Sequence, residues 1–272
     1  MDYSKFEQMA ANVRTGVIKA IAAAGSGHPG GSLSAADIVT ALYFNEMNID
    51  PSNPKMGGRD RFILSKGHAG PVQYAALALR GYFRHEDVLT LRKLGSNFQG
   101  HPNMHEVPGI EMSTGSLGQG FAAAGGMAIG CKLSGDPGRI YVLLGDGELQ
   151  EGIVWEAAMS AAHYHLDNLC AIVDWNGLQI DGKNDDVMKV APIDEKFKAF
   201  GWNVVVINGH DFGEIFSAFD AAKACKGKPT VIIAKTHKGR GVSFMEDQAG
   251  WHGKAPNAEE AEAAIKELGG EF

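Results

Sequence analysis

A chain of 272 residues with 44% hydrophobic and 21% charged residues can bury a large core, which excludes an extensively disordered protein. Its formal net charge of −7 excludes a general nucleic-acid binder or a basic membrane-surface protein, so any anionic ligand has to be held by local features. The three cysteines, Cys131, Cys170 and Cys225, have small or apolar flanks and no CxxC spacing, which predicts buried free thiols in a reducing cytosol.

The amino terminus opens with charged and polar residues and lacks the apolar core and cleavage pattern of a signal peptide. Residues 3–24 read as a helix with Val13, Val17, Ile18 and Ile21 on its buried side. The glycine-rich SGHPGGS at 26–32 is expected to be a loop, carrying His28. A loop histidine is ordinarily just solvated, although loops held by a rigid scaffold are also where binding residues gather. An apolar helix over 34–44 and a turn-rich connection lead to a short buried strand at 62–65, which delivers Lys66-Gly67-His68-Ala69 to a sheet edge. Arg59 and Arg61 before it read as ion-pair partners. Residues 77–94 have a helical pattern, and SNFQGHPN then places His101 in another loop. Next, STGSLGQG at 113–120, with Gly115, Ser116 and Leu117, opens a helix of small residues, FAAAGGMAIGCKL. Free N–H groups at such a helix start can point at an anion, and the small side chains suit a central or interface helix. Bounded by Gln119 and Lys132, the stretch is too short and too weakly apolar to span a membrane.

Residues 141–176 have the layout of one βαβ unit: an apolar run at 141–144, a turn at Gly145-Asp146-Gly147, a helix through Trp155 and Met159, and a second apolar run at 169–173. Parallel strands joined by a right-handed crossover present their carboxyl ends on one edge, which predicts Asp146 and Asn176 as neighbours. A carboxylate and an amide oxygen, completed by backbone carbonyls, water and phosphate oxygens, outline a Mg²⁺ site, with Gly147 letting the backbone approach a phosphate. Taken alone, Gly-Asp-Gly after a strand is equally well a tight turn. Glu151 and Glu156, five positions apart on the crossover helix, read alone as solvated charges.

The remainder continues the rhythm: a helix ending at 197–200, a strand at 202–208, a helix at 214–225, a strand at 230–235 and a final helix at 259–268 before a GGEF tail. Between the last strand and helix lies the long loop KTHKGRGVSFMEDQAGWHGKAPN, of the kind that is usually functional, with His237 read as an ordinary surface histidine and His252 near its end. The alternation predicts an α/β fold with a parallel central sheet and helices on both faces, as a single domain over 1–272 without linker or repeat.

GSGHPGGSLS, RDRFILSKGHA, STGSLGQG, GDGELQEG, DWNGLQIDG and GWHGKAPN together resemble the transketolase branch of the thiamine diphosphate enzymes, over nearly the whole chain. The resemblance implies a thiamine diphosphate-binding fold of the diphosphate-binding type. It implies that Asp146, Asn176 and the Leu178 carbonyl hold Mg²⁺, with Ca²⁺ or Mn²⁺ as alternatives. Gly147, His68 and His252 would hold the diphosphate, Gly115, Ser116 and Leu117 line the cofactor cleft, and Ile180 lie under the thiazolium ring. His28, His101 and His252 would face the substrate, Glu151 and Glu156 would link the two active sites of a dimer and count with those histidines as catalytic residues, and Glu151 and Asn176 would also be cofactor-binding. Family members often have proline where Ser116 stands, a departure that leaves the glycine pattern intact.

The resemblance covers only half of a transketolase. It implies an amino-terminal subunit that transfers a two-carbon ketol unit from a ketose (phosphate) donor to an aldose. The partner would be a carboxyl-terminal subunit carrying the pyrimidine-binding and last domains, in an α2β2 heterotetramer of the cytoplasm, serving the pentose phosphate pathway or other carbohydrate metabolism. Neither nucleic acid nor membrane is expected as a partner. The alternatives are the same chemistry on a sulfonated or branched sugar, and a non-catalytic cofactor-binding regulatory module. A 2-oxo acid dehydrogenase subunit shares the GDG and Asn pattern, but SGHPGG, SKGHA and WHGKAPN favour ketol transfer. A generic nucleotide-binding domain would need a GxGxxG turn after an early strand, which is missing.

Overall fold

The strands of this chain are continuous apolar runs such as YVLL and TVIIA, the composition that a sheet buried on both faces requires. The computed structural model, which describes residues 2–272, shows that sheet. The chain runs through α1 (Ser4–Ala24), α2 (Pro29–Ser34), α3 (Ala36–Ala41) with a π-helical turn at Leu42–Glu46, β1 (Arg61–Leu64), α4 (Gly70–Arg80), α5 (His85–Val88) and α6 (Gln119–Ser134). It continues through β2 (Ile140–Gly145), α7 (Gly152–His163), β3 (Leu169–Trp175), the hairpin β4 (Leu178–Gln179) and β5 (Gly182–Lys183), α8 (Asn184–Val187) and α9 (Ile193–Ala199). β6 (Asn203–Asn208), α10 (Phe212–Ala224), β7 (Thr230–Lys235) and α11 (Ala258–Leu268) complete it. Single 3-10 turns stand at Gly67–Ala69, Gly147–Gln150 and Ala249–Trp251.

Five strands pair in parallel in the order β1-β2-β3-β7-β6. Successive residues of each strand point to opposite faces, and each face has its own core. Phe62, Leu64, Tyr141, Leu143, Ile172 and Ile232 pack with α1, α3, α4, α10 and α11. Ile63, Val142, Leu144, Val173 and Ile233 pack with α6, α7 and α9 on the other side. Helices therefore cover both faces, as the alternating pattern predicts. No helix among the described residues is long and apolar enough to cross a membrane.

The order places β7 between β3 and β6, so the connections on either side of the β3–β7 boundary run in opposite directions. Ligands of open α/β sheets bind outside the carboxyl ends of the strands at such a reversal. Register fixes what meets there: Gly145 is level with Asp174, and Trp175 with Lys235. Asp146, Asn176 and Thr236 consequently leave the sheet side by side.

Several local expectations are corrected. Residues 29–32 are helical rather than loop, because Pro29 has the fixed φ that suits a first helical turn. The helix expected over 34–44 is divided, with α3 passing into a π-turn at Leu42. The pattern over 77–94 is broken at Gly81, whose φ of 96° is left-handed and ends α4. The GGEF tail docks on α1, with the Phe272 carbonyl accepting from Lys19 at 2.7 Å and its ring stacked on His85. Cys131 and Cys170 are buried free thiols, whereas Cys225 is half-buried. Arg59 and Arg61 are ion-paired, with Glu111 at 2.7 Å and Asp136 at 3.0 Å.

The start of α6 sits against the end of β1: a Cβ on Gly120 would lie 2.8 Å from the Ser65 Cα, whereas nothing lies within 4 Å of one on Gly125. Gly120→Ala is expected to destabilise the chain by about 1–3 kcal/mol in urea unfolding, since the contact is with backbone. Gly125→Ala should stabilise it by about 0.5–1 kcal/mol through helix propensity.

Candidate active site

The carboxyl edge of the sheet carries a concentration of buried charge. Asp174, at the end of the central strand, is fully buried and paired with Lys66, which follows β1 and is 1% exposed. Lys66 also donates to the Gly31 carbonyl at 2.8 Å, while Ser34 (2.6 Å) and Thr236 donate to the Asp174 carboxylate. One ion pair thus joins the ends of α2, β1, β3 and β7. Lys66 and the hydroxyl donors hold the Asp174 carboxyl below its ordinary range in spite of its burial.

A second clamp is Glu148, buried in the 3-10 turn after β2. Its carboxylate accepts from the Ser65 hydroxyl, the Gly118 N–H at 2.7 Å and the Gly145 N–H at 2.9 Å. The Ser65 oxygen accepts in turn from the Phe121 N–H at 3.2 Å. The Gly118 and Phe121 N–H groups at the α6 start, expected to point at an anionic ligand, are therefore taken by internal partners. Gly115 packs against the His101 ring, Leu117 lines the cleft described next, and Gly115 and Ser116 stand outside its walls.

A cleft of about 330 Å³ lies over these clamps, walled by residues that include Asp146, Gly147, Asn176, Leu178, Ile180 and Lys238. Asp146 and Asn176 meet as the βαβ reading predicts: Asp146 is 2% exposed and accepts from the Gly147 N–H at 2.9 Å and the Gly177 N–H at 2.5 Å. Burial, and then the neighbouring Asp174, push the Asp146 carboxyl up to about 6. That is a carboxylate short of a cation. The buried Asn184 amide lies close by. Asp146, the Asn176 amide oxygen and the Leu178 carbonyl are hard oxygen donors, and this donor set fits a divalent cation of the Mg²⁺ or Ca²⁺ type.

Three histidines form a triangle at the other side of the cleft. Ring centroids lie 5.3 Å apart for His28 and His68, 5.4 Å for His28 and His252, and 5.1 Å for His68 and His252. The buried Lys238 lies beside them, its Nζ 2.9 Å from His252 Nδ1 and donating to the Leu178 carbonyl at 3.1 Å. Burial, then Lys238, depress His252 to about 3, and burial, then Arg92, depress His28 to about 4. His68 is held well below its ordinary value by burial and then Lys66, and the more open His101 is lowered by burial and then Arg92. All four rings are consequently neutral at pH 7, able to donate one hydrogen bond and accept another. Lys238 itself is lowered to about 8, chiefly by burial.

His68 and His252 line the cleft, while His28 and His101 stand beyond its walls. Glu151 lines the mouth, and it and Glu156 are both exposed. His237 is exposed, as expected, and pairs with Asp247 at 2.9 Å. Sequence reasoning missed Lys66, Glu148, Asp174, Asn184 and Lys238. The signal present for two of them was an ionisable residue at the end of an apolar strand run, as in LCAIVDW and FILSK, where a charge is costly unless it is paired.

A protein-family comparison matches residues 6–271 to the family described as transketolase, thiamine diphosphate binding domain. The chain is 47% identical over 256 residues to the 6-deoxy-6-sulfo-D-fructose transketolase subunit SqwG of Clostridium sp. (strain MSTE9), covering 94% of this chain and 93% of that protein. It is 41% identical over 268 residues to one subunit of the apulose-4-phosphate transketolase of Phocaeicola vulgatus, covering 98% of this chain and 95% of that protein. Among solved structures, transketolase from Campylobacter jejuni superposes with a TM-score of 0.93 at 35% identity, and the match covers all of this chain but 44% of that one.

Replacing Lys66 by Met leaves the Asp174 carboxylate buried and unpaired. Lys66→Met is expected to cost about 3–5 kcal/mol in urea unfolding, and Lys66→Met/Asp174→Asn to recover part of that loss because no lone buried charge remains.

Proposed function

The chain belongs to the transketolase thiamine diphosphate-binding-domain family, and from that membership we propose that it is the amino-terminal subunit of a two-chain transketolase. In this reading residues 1–272 form one diphosphate-binding domain, and the enzyme moves a two-carbon ketol unit from a ketose to an aldose. The observation that carries the reading is the meeting of Asp146, Asn176 and the Leu178 carbonyl at the sheet reversal, directly beside Lys238 and the histidine triangle.

When bound, thiamine diphosphate supplies the electron sink that lets the C–C bond beside a ketose carbonyl break and a new one form. The chain's own residues bind and orient. Asp146, Asn176 and the Leu178 carbonyl hold the divalent metal, which relieves the like-charge crowding of Asp146 and Asp174. Lys238, beside the Leu178 carbonyl and His252, would meet the diphosphate together with Gly147, His68 and His252. Leu117, with Gly115 and Ser116 behind it, bounds the cofactor cleft, and Ile180 supports the thiazolium ring. His28, His101 and His252, kept neutral, donate to donor hydroxyls and carry protons.

The partner is a carboxyl-terminal subunit that closes the cleft, in an α2β2 assembly. Its docking is supported by exposed apolar side chains, Ile180 at 65% in the cleft wall and Met188 at 60% beside Gln150, and by Leu133 and Met159 exposed on α6 and α7. Glu151 and Glu156 lie exposed on and beside α7, where they can reach a second site across the dimer. Free thiols with no disulfide fit a reducing cytosol. The names of the two relatives, a sulfonated ketose and apulose-4-phosphate, favour a second reading in which the sugar is one of these classes rather than a pentose phosphate pathway intermediate. Sugar recognition then resides mostly in the partner.

Asp146→Ala is expected to abolish Mg²⁺-dependent thiamine diphosphate binding in titration calorimetry while leaving a cooperative unfolding transition; unchanged affinity would remove Asp146 from the metal site. Native mass spectrometry of the chain from its own cells, with Mg²⁺ and thiamine diphosphate, should show a two-to-two assembly with a second polypeptide. A partnerless homo-oligomer carrying the cofactor would point instead to a binding module.

A further inference from the structure

Arg92 is a non-glycine residue in the left-handed region, with φ of 59°. Such a backbone is unfavourable for a long side chain and persists where the surroundings fix it, often at functional sites. Its N–H is anchored on the Phe98 carbonyl at 2.8 Å, which closes the turn that leads to His101. The side chain then reaches across to the loop before α2. Nη1 donates to the Ser26 hydroxyl at 2.9 Å, and Nη2 lies 3.4 Å from His28 Nδ1. Gly100, next to His101, lies under the guanidinium, where a Cβ would come within 2.8 Å. Arg92 therefore bridges the two loops that carry His28 and His101, and no part of the functional reading above uses it.

We propose that Arg92 is a positioning residue that fixes the proton of His28, holding Nδ1 as an acceptor and leaving the N–H on Nε2. The reason is the donor inventory: a guanidinium carries five N–H donors, has no acceptor and stays charged at any pH the protein meets. The only ring nitrogen that can meet it is an unprotonated one, and a neutral imidazole then has its proton on the other. Nε2 lies on the side of Gly253, next to His252, since a Cβ on Gly253 would be 3.6 Å from it. Lys238 imposes the same order on His252 from the opposite side, with Nζ at 2.9 Å from Nδ1. Two internal cations thus give two rings of the triangle the same tautomer, each presenting an N–H donor. Arg92 also disfavours a proton on either His28 or His101, so the rings it bridges stay neutral.

The tautomer can be read without turnover, although its catalytic consequence rests on the transketolase reading. The full chain labelled with ¹⁵N-histidine, with His28 assigned by comparison with His28→Gln, should show the Nε2–H pattern for His28 at pH 7. Arg92→Gly accommodates the left-handed backbone while removing the guanidinium with its aliphatic stem. In that variant His28 should become a mixture of tautomers with a raised titration midpoint, and Arg92→Lys, which restores a cationic donor, should return it towards the original pattern. With the partner chain present, Arg92→Gly should lower kcat roughly 10- to 100-fold with thiamine diphosphate affinity unchanged, as expected of a misaligned donor. An Nδ1–H pattern in the unsubstituted chain, or an unaltered His28 spectrum in Arg92→Gly, would overturn the proposal. If Arg92→Gly does not fold, the unsubstituted spectrum and Arg92→Lys still decide it. A correct tautomer in an assembly inactive towards every ketose would instead count against the functional reading and leave Arg92 in place.

Discussion

The buried pairing of Lys66 with Asp174 is the constraint on which the rest of this edge depends. Four segments distant in sequence, the ends of α2, β1, β3 and β7, present Gly31, Ser34, Lys66, Asp174 and Thr236 to one another. A carboxylate taken out of water at the end of a central strand is tolerable only with its charge matched and its lone pairs filled. Satisfying Asp174 therefore fixes where each of those chain ends lies. His28 immediately precedes α2, and the segments that follow β1, β3 and β7 carry His68, Asn176 and Lys238. Glu148 has the corresponding role on the side of α6, where it joins the end of β1, the end of β2 and the helix start.

Above that neutralised layer the electrostatics are incomplete. Asp146 has two backbone N–H donors but no ion-pair partner, and burial, then the neighbouring Asp174, raise its carboxyl to about 6. A divalent ion held as proposed would relieve that crowding, and diphosphate oxygens would relieve Lys238. The chain is acidic as a whole, with a net charge of −7, yet the histidine triangle faces two ammonium groups. Local desolvated charge thus overrides the global sign, because charges in a poorly screened interior act far more strongly than those spread over a solvated surface.

The apolar side chains around this site are informative because of where they are. Single exposed hydrophobics need no explanation on a globular protein. Ile180, however, lines the cleft, Met188 adjoins its lining residue Gln150, and Leu133 and Met159 stand on two of the helices that cover one face of the sheet. Such a distribution suits a surface completed by another chain, which is consistent with the two-subunit arrangement proposed from the relatives. α6, rich in Gly and Ala, has little difference in polarity between its faces, and one side of it packs on β2 and α7.

Much of this was legible in the sequence. Apolar strand runs alternating with helical patterns dictate a parallel sheet covered on both sides, and the right-handed crossover dictates that Asp146 and Asn176 meet, since both rules depend only on local periodicity and chain handedness. The six sequence words gave the family, and three of them carry His28, His68 and His252, which the fold brings together. What the sequence did not determine was the partnership of charges. Lys66 and Asp174 are 108 positions apart, Ser65 and Glu148 83, and Arg92 and His28 64, and no local pattern links residues at such separations. Likewise, glycine and proline placement did not reveal that Pro29 starts a helix or that the last residues pack on α1, because these outcomes follow from space left by other elements. Tertiary structure alone decided which N–H groups at the α6 start were already occupied and which nitrogen of each histidine faces a cation. Hydrogen-bond saturation and desolvation are properties of an assembled environment, and they exist only once the strands have brought those groups together.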